Sequence, residues 1–356
     1  MAARLRAEAL LDVTVADGRT DPPPELTAWI ERHFGSVEAV RQQQIVRVTD
    51  RWRLEGALFS PLRSRRPASA STLGAFEQLV ETTRGDEFCH PETGTPADTW
   101  GRIRGRRSIT AANAAKYDGR HGVVILDRHD PRAFDHESVI DMLHVGHEWA
   151  DRGRSEDPAA RNYILIWNCG PRAGGSIVHG HAQVLLGRDP HYAGVEGLRR
   201  AAIAYRAATG EMLLPDLAAV HRDLGLVVEE ADGVTVFASL TPVKERELWV
   251  LGRAGMDERE PGFADAVART ALAYRDVIGV RAFNLVLQRP PIDVEGARAD
   301  GWELLPPVVR LVDRGDPDSR SSDIGAMELY AASVVGSDPF TLAEDLRASP
   351  PPGPIG

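Results

Sequence analysis

Two histidines separated by one residue mark the segment of this sequence that is best suited to catalysis. The run VHGHAQ places His179, His181 and Gln183 at alternate positions. Alternate side chains of an extended strand lie on one face, so two imidazoles and one amide would point in the same direction. The opposite face would carry small or apolar residues suited to packing: Val178, Gly180, Ala182 and Val184.

A glycine-rich loop comes directly before this strand. It begins after Asn168 and contains Gly170, Gly174 and Gly175. Glycine permits tight turns and lets backbone N–H groups approach an oxyanion closely. Ser176 follows the glycines and could donate its hydroxyl to a phosphate or to a leaving group. The segment therefore predicts a phosphate site next to the two histidines.

A neutral imidazole is a good nucleophile toward phosphorus. One ring nitrogen attacks while the other keeps its proton on a backbone carbonyl, which fixes the tautomer. Gln183 could donate an amide hydrogen bond to a non-bridging phosphate oxygen. For an isolated His-x-His, two buried core histidines are the alternative interpretation. The neighbouring glycine loop, Ser176 and Gln183 favour catalysis, with His181 as the nucleophile.

The composition limits the classes of protein to which the chain can belong. Its 356 residues carry 42 Lys and Arg against 52 Asp and Glu, a net charge of -10. An acidic chain is a poor general binder of nucleic-acid phosphates. The presence of only two cysteines excludes a disulfide framework and suits a reducing cytoplasm. No run of about 18 apolar residues occurs, so we expect no membrane partner. Together, these features predict a cytoplasmic protein that does not bind nucleic acid.

Both halves of the chain show the same order of elements: strand, strand, helix, strand, strand. This order predicts an α+β protein made of two similar units, each an antiparallel sheet with flanking helices. The first unit would span 46–195 and carry the histidine segment, and the second would span 196–345. Residues 1–45 are interpreted as a helical extension and residues 346–356 as a disordered tail.

The histidine segment matches the pattern N-x-G-x-x-x-G-x-S-x-x-H-x-H-x-Q without a gap. Its fixed positions are occupied by Asn168, Gly170, Gly174, Ser176, His179, His181 and Gln183. The segment resembles the duplicated branch of the histidine-triad (HIT) superfamily, that is, galactose-1-phosphate uridylyltransferase and its phosphorylase relatives. This resemblance implies two HIT-like repeats, of which the second is degenerate. It also implies that His181 becomes nucleotidylylated and that Gln183 stabilises the intermediate.

The segment PLRSRRP extends the resemblance. Arg63 and Arg66 fit the family's R-x-x-R-P pattern, whose arginines contact the nucleotide phosphates. The resemblance therefore implies that both arginines bind substrate, together with Asn168 and the glycine loop. A solvated loop is the alternative interpretation of this arginine cluster when it is considered alone.

A structural metal site is also implied by the resemblance. The family often binds zinc with two cysteines and two histidines, and Cys89, His129 and His179 fit three of these positions. Asp86 stands at the position of the first cysteine, and a carboxylate is an acceptable zinc ligand. In the second repeat the family often has a W-x-L-H-x-H segment. Here the sequence after Trp302 contains no histidine, so we expect no second metal there and a structural, substrate-positioning role for that repeat.

Histidines outside these motifs are assigned no catalytic role. His90, His121 and His191 belong to no pattern beyond neighbouring turns. His144 and His147 lie three residues apart in a predicted helix, where a partly solvated face is favoured over a metal site.

The resemblance implies a nucleotidyltransferase that moves a nucleoside monophosphate from a nucleotide-sugar to a sugar 1-phosphate. The alternative is a phosphorylase of an ADP-sugar or dinucleoside polyphosphate, with inorganic phosphate as acceptor and the same chemistry at His181. A catalytically silent nucleotide-binding protein is a third reading, against which the intact His-x-His-x-Gln argues. The sequence does not distinguish a uracil nucleotide from an adenine nucleotide as the substrate. A homodimer is implied by the resemblance only.

Overall fold

Two sheets and the helices around them make up the structure, a computed structural model that describes residues 2–62, 74–292, 300–319 and 321–349. The strands are β1 Leu11–Arg19, β2 Gln42–Asp50, β3 Gly56–Phe59, β4 Ser108–Ala112, β5 Arg120–Leu126, β6 Asn162–Cys169, β7 His181–Gly187, β8 Val227–Ala231, β9 Val234–Ala238, β10 Leu248–Leu251, β11 Phe283–Gln288, β12 Val308–Asp313 and β13 Ser333–Val335. The α-helices of the described residues are α1 Ala2–Leu10, α2 Thr27–Phe34, α3 Val37–Arg41, α4 Ala75–Thr82, α5 Pro91–Gly94, α6 His136–Glu156, α7 Ala193–Thr209, α8 Leu213–Asp223, α9 Pro261–Asp276, α10 Ala326–Tyr330 and α11 Pro339–Ala348.

The larger sheet joins both halves of the chain. Its strand order is β4-β5-β7-β6-β11-β12-β10-β9-β8, and every neighbouring pair is antiparallel. The run β4-β5-α6-β6-β7 in the first half corresponds to β9-β10-α9-β11-β12 in the second. The two runs meet at the centre, where Asn168 of β6 lies opposite Asn284 of β11. The predicted α+β class with two similar units is confirmed, whereas the residue boundaries of the repeats stay a prediction.

Helices α6 and α9 lie against one another and contribute to the main core. Asp135 caps the N-terminus of α6, and its side chain accepts from the Ser138 N–H in a capping box. Its buried stripe includes Met142 and Trp149, which belong to the same core as Ala182 and Val184 of β7. The opposite face of β5 and β7 is therefore left for the candidate site. Among the described helices, none is long and apolar enough to cross a membrane.

The N-terminal segment differs from the prediction of a helical extension. Leu11–Arg19 is a strand that pairs residue by residue with Gln42–Asp50, while only the flanking segments are helical. The alternation of Leu11, Val13 and Val15 with polar residues explains the strand, because β-branched residues at period two favour extended backbone. With β3 and β13 this pair forms a separate four-stranded sheet.

The C-terminal tail differs from the prediction, which placed the start of disorder at residue 346, within the last helix. Helix α11 continues to Ala348, and Leu346 within it is buried in the core. The apolar spacing of Leu342, Ala343 and Leu346 gives this helix a core-facing side, so burial outweighs the nearby prolines. Residues 350–356 lie outside the described residues.

Candidate active site

His181, the first residue of β7, is held in one tautomer. Its Nδ1 lies 2.7 Å from the backbone carbonyl oxygen of His179. A carbonyl oxygen only accepts, so Nδ1 must carry the proton and Nε2 must carry the lone pair. Within the described part of the chain, Nε2 has no hydrogen-bonding partner. Burial lowers the pKa of His181 below its ordinary value, which keeps the ring neutral.

The neighbours of His181 divide between the two faces of β7 as the alternation predicted. Ala182 and Val184 face the main core below α6. Gln183 shares the other face with His181, whose ring lies perpendicular to that of Phe88 at a centroid distance of 4.9 Å. His179 is different, because it precedes the regular strand and its Nε2 donates to the carbonyl of Leu126 at 2.8 Å. Of the three side chains predicted to lie in one row, His181 and Gln183 share a face of the strand, whereas His179 belongs to a separate cluster.

The glycine loop has the backbone shape that the sequence predicted. Gly170 and Gly174 have φ values of +86° and +96°, a region that other residues rarely adopt. A Cβ at Gly175 would lie 3.1 Å from the carbonyl oxygen of Asn168. The amides of Ala173, Gly174 and Gly175 donate to carbonyls within the loop itself. Because these amides are already used, a phosphate at the loop would have to accept hydrogen bonds from groups further along the chain, such as Ser176, which is exposed at the end of the loop.

The second repeat contributes directly to this region. Asn284 of β11 donates from Nδ2 to Asn168 Oδ1 at 2.7 Å and to the Ala173 carbonyl at 2.8 Å. Arg314 in turn donates to Asn284 Oδ1 at 2.5 Å and is held by Asp323. Because Asn168 Oδ1 accepts from Asn284, the Asn168 amide nitrogen is left to donate elsewhere. Sequence reasoning missed Asn284 and Arg314, since their proximity depends on the pairing of β6 with β11.

The four residues predicted to bind a metal come together in one cluster: Asp86, Cys89, His129 and His179. The Cys89 sulfur lies 3.2 Å from His129 Nδ1 and 3.4 Å from His179 Nδ1. The carboxylate of Asp86 lies 3.7 Å from His129 Nδ1 and 3.6 Å from His179 Nδ1. Ligands placed ~2.0–2.3 Å from a tetrahedral ion lie about 3.3–3.8 Å apart. Three of the four separations fall in this range and the Cys89–His129 separation is slightly shorter, so the four residues could share one metal ion.

The hydrogen bonds around the cluster fit a metal as well. His129 Nε2 donates to the Val80 carbonyl at 2.9 Å, and His179 Nε2 donates to Leu126, so both Nδ1 atoms present lone pairs inward. Asp86 Oδ2 is buried without a hydrogen-bond partner. A buried carboxylate oxygen in that state is costly unless a cation is bound to it. The donor set therefore suits a divalent ion such as zinc.

Comparison with known proteins gives structural matches only. No protein-family model matches the chain, and no curated protein matches its sequence. An ADP-glucose phosphorylase from Arabidopsis thaliana, solved with bound ADP-glucose, superposes with a TM-score of 0.63 at 14% identity, covering 85% of this chain and 98% of that one. A GalT-like protein from Arabidopsis thaliana gives 0.58 at 14% identity, with 74% and 92% covered. A uridylyltransferase gives 0.57 at 17% identity, with 71% and 88% covered.

This chain has the galactose-1-phosphate uridylyltransferase-like fold. The finding confirms the resemblance at the level of fold. The sequence identities of 14–17% are too low for the substrate of a structural neighbour to be assigned to this chain. Within this uridylyltransferase-like fold, two expected substrate ligands stay untested. Arg63 and Arg66 lie outside the described residues, so their proposed contact with the glycine loop remains a prediction.

A second buried cluster in the uridylyltransferase-like fold lies where the two repeats meet. His147 Nδ1 lies 2.6 Å from Glu258 Oε1, and Arg289 donates to Glu258 Oε2 at 2.7 Å. The prediction of a partly solvated helix face is right for His144, which is exposed, and wrong for His147, which is 3% exposed. Helix α6 packs against the second repeat at this point, so the face that carries His147 is covered. Arg289 already supplies the cation for Glu258.

Sequence reasoning also missed His121 in β5. This histidine is fully buried, and its Nε2 lies 3.0 Å from Gln183 Oε1. On the sheet, His121 pairs with Leu185, two residues beyond Gln183 on the same face of β7. Diagonal neighbours at this offset are within reach of long side chains. The signal in the sequence is a histidine that comes directly before the apolar run Gly122–Leu126.

Proposed function

We propose that this protein is a nucleotidyltransferase that works through a nucleotidyl-His181 intermediate. The observation that carries the proposal is the hydrogen bond of 2.7 Å from His181 Nδ1–H to the His179 carbonyl. It leaves Nε2 as an unprotonated nitrogen on a neutral ring, which is the form required of a nucleophile toward phosphorus.

The reaction would proceed in two displacements. In the first, the Nε2 lone pair forms a bond to the α-phosphorus of the donor, and the bond from that phosphorus to the bridging oxygen breaks. The oxygen leaves with its electron pair as part of a sugar phosphate. In the second, an oxygen of the acceptor phosphate attacks the same phosphorus, and the P–N bond breaks to restore the imidazole lone pair. Throughout, the His179 carbonyl retains the Nδ1 proton and stabilises the positive ring of the intermediate.

Other residues would act on the phosphate rather than on the bond that forms. Gln183 would donate to a non-bridging oxygen, and Ser176 to the leaving group. Asn168 would donate its amide, oriented by Asn284 as described above. Arg63 and Arg66 would neutralise the diphosphate through charge-assisted hydrogen bonds.

We propose zinc as a structural component at Asp86, Cys89, His129 and His179. When bound there, the ion would neutralise the thiolate and the carboxylate and would keep the His179 side chain fixed. His179 is the residue whose carbonyl accepts the His181 proton. The metal cluster would therefore position the nucleophile through the backbone and would not touch the substrate.

For the substrate, we propose a nucleotide-sugar as donor and a sugar 1-phosphate as acceptor, as in a uridylyltransferase. Phosphorolysis of an ADP-sugar is the second candidate. It is supported by the extent of the match to the ADP-glucose phosphorylase, which is covered over 98% of its length. The two candidates share the first half-reaction and differ in the acceptor. A homodimer stays a prediction.

The test separates the two half-reactions. Purified protein is incubated in turn with UDP-glucose, ADP-glucose and diadenosine tetraphosphate, and the intact mass is measured. We expect one of these to add one nucleoside monophosphate to the wild type and none to add it to His181→Ala. Galactose 1-phosphate or inorganic phosphate is then added to the labelled protein. Loss of the label with only one of them identifies the acceptor, and turnover by His181→Ala at a wild-type rate would contradict the covalent route.

A further inference from the structure

The buried His121 fixes the orientation of the Gln183 side-chain amide. We infer that His121 is a positioning residue: by donating from Nε2 to Gln183 Oε1, it directs the Gln183 NH2 group toward the phosphate that reacts at His181. The inference rests on the proposed function, since it assigns the origin of a contact that the nucleotidyl transfer would use.

The tautomer of His121 follows from a backbone donor. The Tyr117 N–H donates to His121 Nδ1 over 3.0 Å. A backbone N–H cannot reverse its role, so Nδ1 must be the unprotonated nitrogen. In a neutral ring the proton is then on Nε2. Burial lowers the pKa of His121 below its ordinary value, and the nearby Lys116 ammonium adds to that effect, so the neutral form is favoured.

Two side chains approach the protonated Nε2, and only one can accept. Gln183 Oε1 lies at 3.0 Å and the Asn113 amide nitrogen at 3.1 Å. The Asn113 oxygen is fixed elsewhere, because it accepts from the Ala115 N–H at 3.0 Å. Asn113 therefore presents a donor, which cannot accept the Nε2 proton. Gln183 Oε1 is the acceptor, and the orientation of its amide follows from two backbone N–H groups.

The consequence concerns the other end of the Gln183 amide. With Oε1 turned toward His121, the two N–H bonds of Nε2 point away from it, and no residue of the described ranges accepts from them. Gln183 shares the face of β7 with His181, two residues along the strand. A glutamine free to rotate could present its oxygen to the phosphate, which would repel the substrate. His121 removes that alternative before the substrate binds.

The first test compares two substitutions of His121. His121→Leu removes the donor, whereas His121→Gln retains an amide N–H near the position of Nε2. We expect His121→Leu to slow nucleotidylation of the enzyme at saturating donor by about tenfold, with an unchanged dissociation constant of the donor. His121→Gln should recover to within about threefold of the wild type. Equal rates for His121→Leu and the wild type would overturn the inference.

A double-mutant cycle separates positioning from general damage to the fold. If His121 acts through Gln183, then His121→Leu/Gln183→Ala should react at the same rate as Gln183→Ala alone. A further tenfold loss in the double variant would show that His121 acts independently of Gln183, which contradicts the inference. Wild-type protein that is not labelled by any donor would instead contradict the proposed function.

A measurement on the unmodified protein does not depend on the folding of any variant. Long-range 1H–15N correlation spectra distinguish the two neutral histidine tautomers. We expect the His121 signals to show a protonated Nε2 and an unprotonated Nδ1 at neutral pH. The reverse tautomer, or a doubly protonated ring, would contradict the hydrogen-bond assignment on which the inference depends.

Discussion

The two repeats follow the same path through one sheet but place different chemistry on it. In the first repeat, β7 begins with His181 and carries Gln183, next to four side chains that could hold a metal ion. In the second, β12 begins at Val308 after two prolines, and the repeat instead supplies Asn284 and Arg314 to the glycine loop of the first. The second repeat therefore has Val308 where β7 has His181, and its side chains contact the glycine loop of the first repeat.

The two buried clusters of acidic and histidine side chains sharpen this comparison. In the first, Asp86 Oδ2 is buried without a hydrogen-bond partner among the described residues, and two imidazole lone pairs face inward. In the second, the carboxylate of Glu258 forms an ion pair with Arg289 and a hydrogen bond with His147. The donor types are similar, so the difference lies in the cation: an arginine is built into one cluster and none of the described residues supplies one to the other. Residue type alone does not make a metal site.

The largest expected effect is on metal content. Cys89→Ala should purify with less than about one-tenth of an equivalent of zinc, since a thiolate ligand is lost. Cys169→Ala is the matched control, because Cys169 is a buried cysteine outside the cluster and its loss should leave the metal in place. Elemental analysis of both proteins checks the prediction. Zinc retained by Cys89→Ala, or lost from Glu258→Gln, would reverse the assignment of the two clusters.

The next effect concerns the support from the second repeat. Asn284→Ala should lower the rate of nucleotidyl transfer by about tenfold, because Asn168 loses the hydrogen bond that orients its amide. Single-turnover labelling at saturating donor measures this rate. Gln288→Ala changes the other end of the same strand and should label at the wild-type rate. If both variants behave alike, the second repeat does not orient Asn168.

A third prediction tests the second cluster as a source of stability. Glu258→Gln should lower the free energy of unfolding by roughly 3 kcal/mol, because a buried Arg289 then lacks its carboxylate. Urea unfolding gives the value. Glu303→Gln, at an exposed glutamate, should change stability by less than about 0.5 kcal/mol. An unchanged midpoint in Glu258→Gln would mean that the cluster does not hold the repeats together.

The smallest expected effect is a pH dependence in the second repeat. Burial lowers the pKa of His221 to about 4, below that of the unfolded chain. Protons then bind preferentially to the unfolded state, so this contribution to stability is present above about pH 6.5 and is lost as the pH falls toward 4. Urea midpoints between pH 7.5 and 4.5 should fall less steeply for His221→Phe than for the wild type. Parallel curves would contradict the assignment.

Much of the candidate site could be predicted because its residues are close in sequence. The spacing of His179, His181 and Gln183 and the positive φ of the glycine loop are local properties of one segment. The cluster of candidate metal ligands could also be predicted, although Asp86 and His129 come from distant segments, because the resemblance supplied their positions. The order of strands and helices in each half followed from hydrophobic periodicity.

The missed residues depend on contacts between strands that periodicity cannot give. Asn284 reaches Asn168 only because β11 pairs with β6, and His121 reaches Gln183 only through the register of β5 and β7. The sequence predicts a helical extension over residues 1–45, whereas Leu11–Arg19 within it is a strand whose Val13 and Val15 are exposed. Its pairing with β2, a contact between distant segments, is what makes it a strand.

The most direct test of the account is the identity of the residue that carries the nucleotide. Wild-type protein is labelled with the donor that gives a mass increase, digested at a pH at which phosphoramidates survive, and its peptides are sequenced by mass spectrometry. We expect one nucleoside monophosphate per chain, bound to the imidazole of His181, and no label in His181→Ala. A label on any other residue, or turnover of the same donor without a covalent adduct, would contradict the assignment of His181 as the nucleophile.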